Sequence, residues 1–322
     1  MAAEHEHHPP ASCLHPHLSR RPLLLAGPTA VGKSDIAVLL AERLGGEIIS
    51  VDSMQIYRGL DIGTAKASPE ERARVPHHLI DVVDLTEPFD AARFIDLAHR
   101  AVADIQGRGR LPILCGGTGL YFKAFLEGLG QTPPADAALR AALETTPLPE
   151  LLRELAERDP VTYERIDRQN PRRVIRAIEV IRLTGQPFST QRSNWQPSTL
   201  VPRPSSRSFG LARSPADLQQ RIDARVDGMF RRGWVAETEA LLKRGLGQNR
   251  IALQALGYRQ IVEYLRGEHL LPETIELVKA RTRQFAKRQM TWFRRQLQLT
   301  WINLEPQSSA EAIASQIAAT VQ

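Results

Sequence analysis

Cysteine is scarce in this 322-residue chain: only Cys13 and Cys115 occur. Neither has a partner at metal-site spacing, which excludes a disulfide framework or a zinc ribbon and fits a reducing, cytoplasmic setting. No apolar run is long enough for a bilayer-spanning helix, so no membrane association is expected. Residues 1–20 lack the apolar stretch of a secretion signal. They are rich in histidine (His5, His7, His8, His15, His17) and proline, and read as a disordered extension, with a metal-binding tract as the alternative. No internal repeat is evident. One local absence is informative. Between Lys279 and Arg295 there are seven basic residues (Lys279, Arg281, Arg283, Lys287, Arg288, Arg294, Arg295) and no acid.

What is present points to an α/β chain. Pro22–Ala26, Glu47–Val51, Leu79–Val83, Leu111–Cys115, Ser208–Leu211 and Thr300–Leu304 read as short strands. Helical patterns alternate with them, which favours a parallel sheet. Within Ala91–Gln106, Phe94, Leu97, Ala98, Ala101 and Ile105 share one face. From about Gly130 helical segments replace the strands, and Gln186–Ser208, rich in proline and serine, reads as a linker. The expected fold is a P-loop NTPase-like parallel sheet core over 21–130 and 203–322, with a helical insertion domain over 131–202.

The strongest motif follows the first strand. Gly27-Pro28-Thr29-Ala30-Val31-Gly32-Lys33-Ser34 matches G-x-x-x-x-G-K-[ST] at every defined position. Such a loop aims backbone N–H groups and a helix N-terminus at one anion, Lys33 adds a cation and Ser34 a hydroxyl for a metal ion. The second strand delivers Asp52, followed by Ser53, Met54 and Gln55, to its carboxyl end. Asp52 there is either a general base or metal ligand, or the cap of a turn. Gly116-Gly-Thr-Gly119 brings Thr118 to a similar place, unless its glycines serve the backbone alone. In open α/β sheets these strand ends share one crevice.

In the C-terminal half, Val278, Phe285 and Trp292 recur at seven-residue spacing and read as a buried stripe. Arg281, Arg288 and Arg295 form a parallel basic stripe. With a net charge of +6, an acid-free cationic helix face suits a phosphate backbone. Arg221 and Arg225, and Asp223 and Asp227, are i,i+4 pairs that read first as surface ion pairs.

Taken in order, GPTAVGKS, DSMQIYRGLDIGTAK, HHLID, GGTGLYFKAFLEGL, RAIEVIRLTGQP, RIDARVDGMF, ALGYRQ and ARTRQFAKRQMTWFR resemble the tRNA dimethylallyltransferase (tRNA isopentenyltransferase) family. The resemblance implies transfer of a dimethylallyl group from dimethylallyl diphosphate to the exocyclic amine of an adenine. That adenine lies 3′ of the anticodon in tRNAs reading codons that begin with U. It implies that Gly27, Thr29, Ala30, Val31, Gly32, Lys33 and Ser34 hold the diphosphate, with Mg²⁺ on Ser34. Asp52, Thr118 and Arg225 would be catalytic. The tRNA anticodon stem-loop would meet Asp52–Gln55, Arg140, Gln169, Asn170, Pro171, Arg172 and Arg173. It would also meet Gln254, Ala255, Leu256, Gly257, Tyr258 and Arg259, and Thr282, Arg283, Gln284, Phe285, Ala286, Lys287, Arg288 and Gln289. A monomer is expected. Val31 stands where the family commonly has Ser, and Gln169–Arg173 lacks an Asp often found there. A small-molecule P-loop kinase, an adenine-nucleotide isopentenyltransferase and a non-catalytic RNA-binding NTPase are the alternatives.

Overall fold

The computed structural model describes residues 21–129, 132–192, 207–249 and 251–321. The chain runs β1 (Leu23–Ala26), α1 (Lys33–Leu44), β2 (Gly46–Val51), α2 (Pro69–Arg74), β3 (His77–His78), α3 (Ala91–Gly107), β4 (Leu111–Gly116) and α4 (Gly119–Glu127). Five helices follow: α5 (Ala137–Thr145), α6 (Leu148–Arg158), α7 (Pro160–Arg165), α8 (Pro171–Thr184) and α9 (Phe188–Arg192). The chain then returns through β5 (Ser208–Arg213), α10 (Pro215–Arg231), α11 (Trp234–Lys243), α12 (Tyr258–Leu265), α13 (Leu271–Gln296), β6 (Thr300–Leu304) and α14 (Ala310–Val321).

The six strands form one sheet in the order β3-β2-β4-β1-β5-β6, every pairing parallel. Strand alternation explains how β1 is buried on both sides. Leu23 and Leu25 join one apolar cluster with Ile36 and Leu40 of α1 and Ile313 and Ile317 of α14. Leu24 and Ala26 join the other, with Phe94 and Ile105 of α3, Phe122 and Phe125 of α4, and Phe293 of α13. Helices α5, α6 and α8 pack round a third cluster of their own, which includes Leu143, Leu151, Leu155, Val174 and Ile178.

Three expectations change. The third strand is not Leu79–Val83 but His77–His78. Leu79 and Asp81 adopt left-handed backbone, φ 60° and 56°, because Lys66 and Arg72 both bind the Asp81 carboxylate and turn the chain there. The linker read over Gln186–Ser208 contains α9, anchored where Ser189 donates through N–H (2.7 Å) and Oγ (2.8 Å) to the buried Asp159 carboxylate. Along α13 the buried line is Val278, Thr282, Ala286, Gln289 and Phe293. Phe285 is exposed instead, and Trp292 is half-buried against the core. The readings made for residues 1–20 lie outside the described residues.

Candidate active site and RNA-facing surface

Because the sheet is parallel, β1, β2 and β4 deliver their following loops to one edge. The phosphate loop, Asp52 and the Gly116–Gly119 turn therefore line a single cavity of about 800 Å³. Its walls also include Arg221 and Arg225 of α10, Gln254–Leu256, and Thr282, Phe285, Arg288 and Gln289 of α13.

The phosphate loop is held from outside. Gly32 takes φ 104°, a left-handed value that a side chain would oppose. Ala30 sits at φ 64° despite having one. Its carbonyl accepts from Arg221 Nε (2.9 Å), and the Val31 carbonyl accepts from Arg213 Nε (3.0 Å). Fixing those oxygens outward leaves the intervening N–H groups for an anion. Arg213 is in turn fixed by Asp217 (2.7 Å). Sequence reasoning passed over Arg213 and took Arg221 for a surface ion pair. The one local signal was that Arg221 shares a helix face with Arg225.

Lys33 Nζ donates to the Pro28 carbonyl (2.6 Å). Burial lowers its pKa to about 8, Cys115 and Asp52 raise it, and Arg225 lowers it. Arg225 is likewise lowered by burial and by Arg232 and Arg221, and raised by Asp52. Two desolvated cations beside one carboxylate form a site whose charge a polyanion would complete.

Asp52 caps a turn and lines the cavity as well. Its Oδ1 accepts from the N–H groups of Met54 (2.8 Å) and Gln55 (3.3 Å). Thr118 Oγ1 accepts from Ser53 N–H (3.1 Å), and Thr118 N–H donates to the Val51 carbonyl (3.1 Å). Thr118 thus fixes the turn that carries Asp52. The Gln55 carboxamide is spent internally, on Ser50 Oγ and the Thr64 and Ala65 carbonyls. The glycines of the second turn serve close approach. A Cβ on Gly117 would lie 2.5 Å from Gln289 Nε2, and one on Gly119 would lie 2.2 Å from the Trp292 ring.

The candidate RNA contacts divide. Gln254, Arg259, Gln284, Phe285, Lys287 and Arg288 are exposed, as are Gln169, Pro171, Arg172 and Arg173 at the start of α8. Asn170 caps that helix, accepting from Arg173 N–H (3.4 Å). Arg140 binds the fully buried Glu179 carboxylate (2.7 Å). Leu256 is half-buried in the cavity wall. Ala255, Gly257, Tyr258, Thr282, Ala286 and Gln289 are buried. Tyr258 corrects the expectation of a base contact: its hydroxyl donates to Glu237 (2.6 Å) and accepts from Gly63 N–H (3.1 Å). Arg283 binds Asp223 (2.7 Å) and Lys279 binds Asp227 (2.8 Å). Helix α10 therefore supplies an acid to each of those two cations, and Glu276 of α13 itself also pairs with Lys279 (2.9 Å). Arg281, Arg288 and Arg295 remain exposed on the opposite face, while Lys287, one turn on from Arg283, is exposed beside it.

Known proteins resemble this chain along most of its length. The model of the family described as IPP transferase matches residues 55–296. A protein of Halorhodospira halophila named tRNA dimethylallyltransferase is 48% identical over 286 residues, covering 85% of this chain and 90% of that protein. The tRNA dimethylallyltransferase 2 of Geotalea uraniireducens is 44% identical over 292 residues, covering 89% and 93%. Among solved structures, a full-length tRNA isopentenylpyrophosphate transferase from Bacillus halodurans superposes with a TM-score of 0.67 at 39% identity, covering 94% of this chain and 97% of that one. A eukaryotic dimethylallyltransferase acting on tRNA gives a TM-score of 0.77 at 29% identity, covering 92% and 77%.

Proposed function

The chain belongs to the IPP transferase family, and we propose that the cavity joining the phosphate loop to Asp52 is where it transfers a dimethylallyl group to tRNA. The chain is an enzyme of the tRNA dimethylallyltransferase type, acting on a tRNA adenine. The finer reading is that the donor is dimethylallyl diphosphate and the acceptor the exocyclic amine of the adenine 3′ of the anticodon, in tRNAs reading codons that begin with U. The observation that carries it is the joining, in one cavity, of a cationic phosphate loop and a strand-end carboxylate beneath an exposed basic helix face.

The diphosphate would sit against Gly27–Ser34, with Lys33 and Arg225 opposing the negative charge that grows as the C–O bond breaks. The allylic carbon tolerates positive charge, so leaving-group stabilisation and exclusion of water govern the barrier. The adenine amine forms the new C–N bond and loses a proton to Asp52. Because Oδ1 already accepts two backbone N–H groups, Oδ2 is the oxygen that would take it. Thr118 would hold the Asp52 turn in place. A stacked base cannot reach this cavity and must be flipped out. Exposed Gln254, Arg259, Arg288 and the start of α8 would grip the anticodon arm, with 131–202 acting as the gripping insertion.

Mg²⁺ fits the donor chemistry. Ser34 opens the first turn of α1 beside Lys33, and among the described residues no group of three His, Cys, Asp or Glu could hold a metal. The Ser34 hydroxyl would be the residue group that holds a hard cation there. When bound it would neutralise leaving-group charge. Among the described residues no helix is long and apolar enough to cross a membrane.

The test is mass spectrometry of tRNA after incubation with purified protein, Mg²⁺ and dimethylallyl diphosphate, with AMP as the competing acceptor. The expected result is one isopentenyl addition on the anticodon loop and none on AMP. No addition to tRNA would overturn the reading. Asp52→Ala should lower turnover by roughly 10²- to 10⁴-fold while tRNA still binds; near-normal turnover would reject the general-base role.

A further inference from the structure

Gln289 is a buried polar residue of α13, the helix whose far side carries the exposed cations. Its carboxamide Oε1 accepts from Thr29 N–H (2.9 Å), and its Nε2 donates to the Gly117 carbonyl (2.9 Å). One side chain thus ties the phosphate loop to the turn that carries Thr118, across 260 and 172 residues of sequence. Gly117 lacks the Cβ that would collide with it. Gln289 was expected to contact RNA, but its polar atoms are committed inward.

We propose that Gln289 is a positioning residue through which RNA held on α13 sets the shape of the diphosphate loop. This rests on the functional reading above. Arg288, its neighbour, is exposed and lines the same cavity. RNA bound along Arg281, Arg288 and Arg295 restrains a 26-residue helix and with it the Gln289 carboxamide. With Thr29 N–H held, less loop freedom is lost when the anion arrives, so the first ligand lowers the entropic cost of the second. Coupling of this kind is reciprocal: diphosphate must tighten RNA by the same factor.

The experiment is calorimetric binding of inorganic pyrophosphate with Mg²⁺ to the full chain, with and without an anticodon stem-loop RNA. In the parent protein, RNA should tighten pyrophosphate roughly fivefold or more. In Gln289→Met, which keeps the shape and loses both hydrogen bonds, that factor should fall to about one, with RNA affinity alone changed by less than about twofold. A merely structural role would weaken both ligands and leave the factor intact. Arg295→Ala, exposed on the same basic stripe and outside the cavity wall, is the opposite control: RNA affinity should fall while pyrophosphate binding without RNA is kept. Should Gln289→Met not fold, Gln289→Glu keeps the acceptor for Thr29 and loses the donor to Gly117, and should at least halve the factor. A parent factor of one, or an undiminished factor in the variant that folds, overturns the inference. Failure of the parent to bind pyrophosphate at all overturns the functional reading, and the inference with it.

Discussion

Two glycine-bearing turns stand side by side at the carboxyl edge of the sheet, one after β1 and one after β4. They use the same residue for different reasons. In the phosphate loop, Gly32 supplies a left-handed φ of 104° with nothing nearer than 3.9 Å to a would-be Cβ. In the second turn Gly117 and Gly119 have no positive φ, yet a Cβ on either would strike Gln289 or Trp292 of α13. At Gly32 the first turn spends glycine on conformation, so that N–H groups converge, although Gly27 at its start is also a contact glycine, since a Cβ there would lie 2.9 Å from the Leu211 carbonyl oxygen. The second spends it on contact, so that a distant helix can lie against the site. A shared motif letter therefore does not imply a shared mechanism, and the two should fail differently.

The largest separation is expected at Lys33. Lys33→Ala should lower kcat/KM by roughly 10²- to 10³-fold, as for loss of one group that stabilises transition-state charge, without lowering Tm. The ammonium, with its pKa lowered to about 8 by burial, is charged below that pH and neutral above it. Pyrophosphate affinity should therefore weaken as pH rises through about 8. In Lys33→Arg, whose cation does not titrate in that range, the affinity should stay level. A flat profile in the parent would assign the anion's charge partner elsewhere. Gly119→Ala comes next and should act on stability, costing about 1–3 kcal/mol by overpacking against Trp292. Chemical denaturation measures this, and the added substitution Trp292→Leu should recover part of it. Additivity of the two would break the claim that the second turn is shaped by contact. Of the two glycine changes, Gly32→Ala should have the smaller stability effect, about 1 kcal/mol of backbone strain, accompanied by weaker pyrophosphate binding. If Gly32→Ala cost more stability than Gly119→Ala, the comparison would be reversed.

Much of this site was legible along the chain. The phosphate loop needed only local pattern, because its cradle is built from consecutive N–H groups and one helix start. Asp52 was locatable because a strand end places it. The turn cap does not take Asp52 away from the site: one oxygen caps the turn, and the residue still lines the cavity. Leu79–Val83 misled because its apolar pattern resembles a strand, while Lys66 and Arg72, 15 and 9 residues back, pull Asp81 into a turn through side-chain contacts that an apolar pattern does not register. Tyr258 is placed against the tRNA by the family resemblance alone. Its hydroxyl is claimed by Glu237, 21 residues away.

The sequence by itself determined the alternation of strands and helices, the phosphate loop with Lys33 and Ser34, the strand-end position of Asp52, and the cationic outer face of α13. Each depends on neighbours within a few residues, where hydrogen-bonding geometry and period set the outcome. Only the tertiary structure decided which charges were already matched, as Arg283 and Lys279 are by α10. It also decided which cations hold the phosphate loop open from outside, and that Gln289 faces the diphosphate loop and not solvent. Those choices depend on helix rotation and on the distance between segments far apart in sequence, which the packing of the two sheet faces fixes.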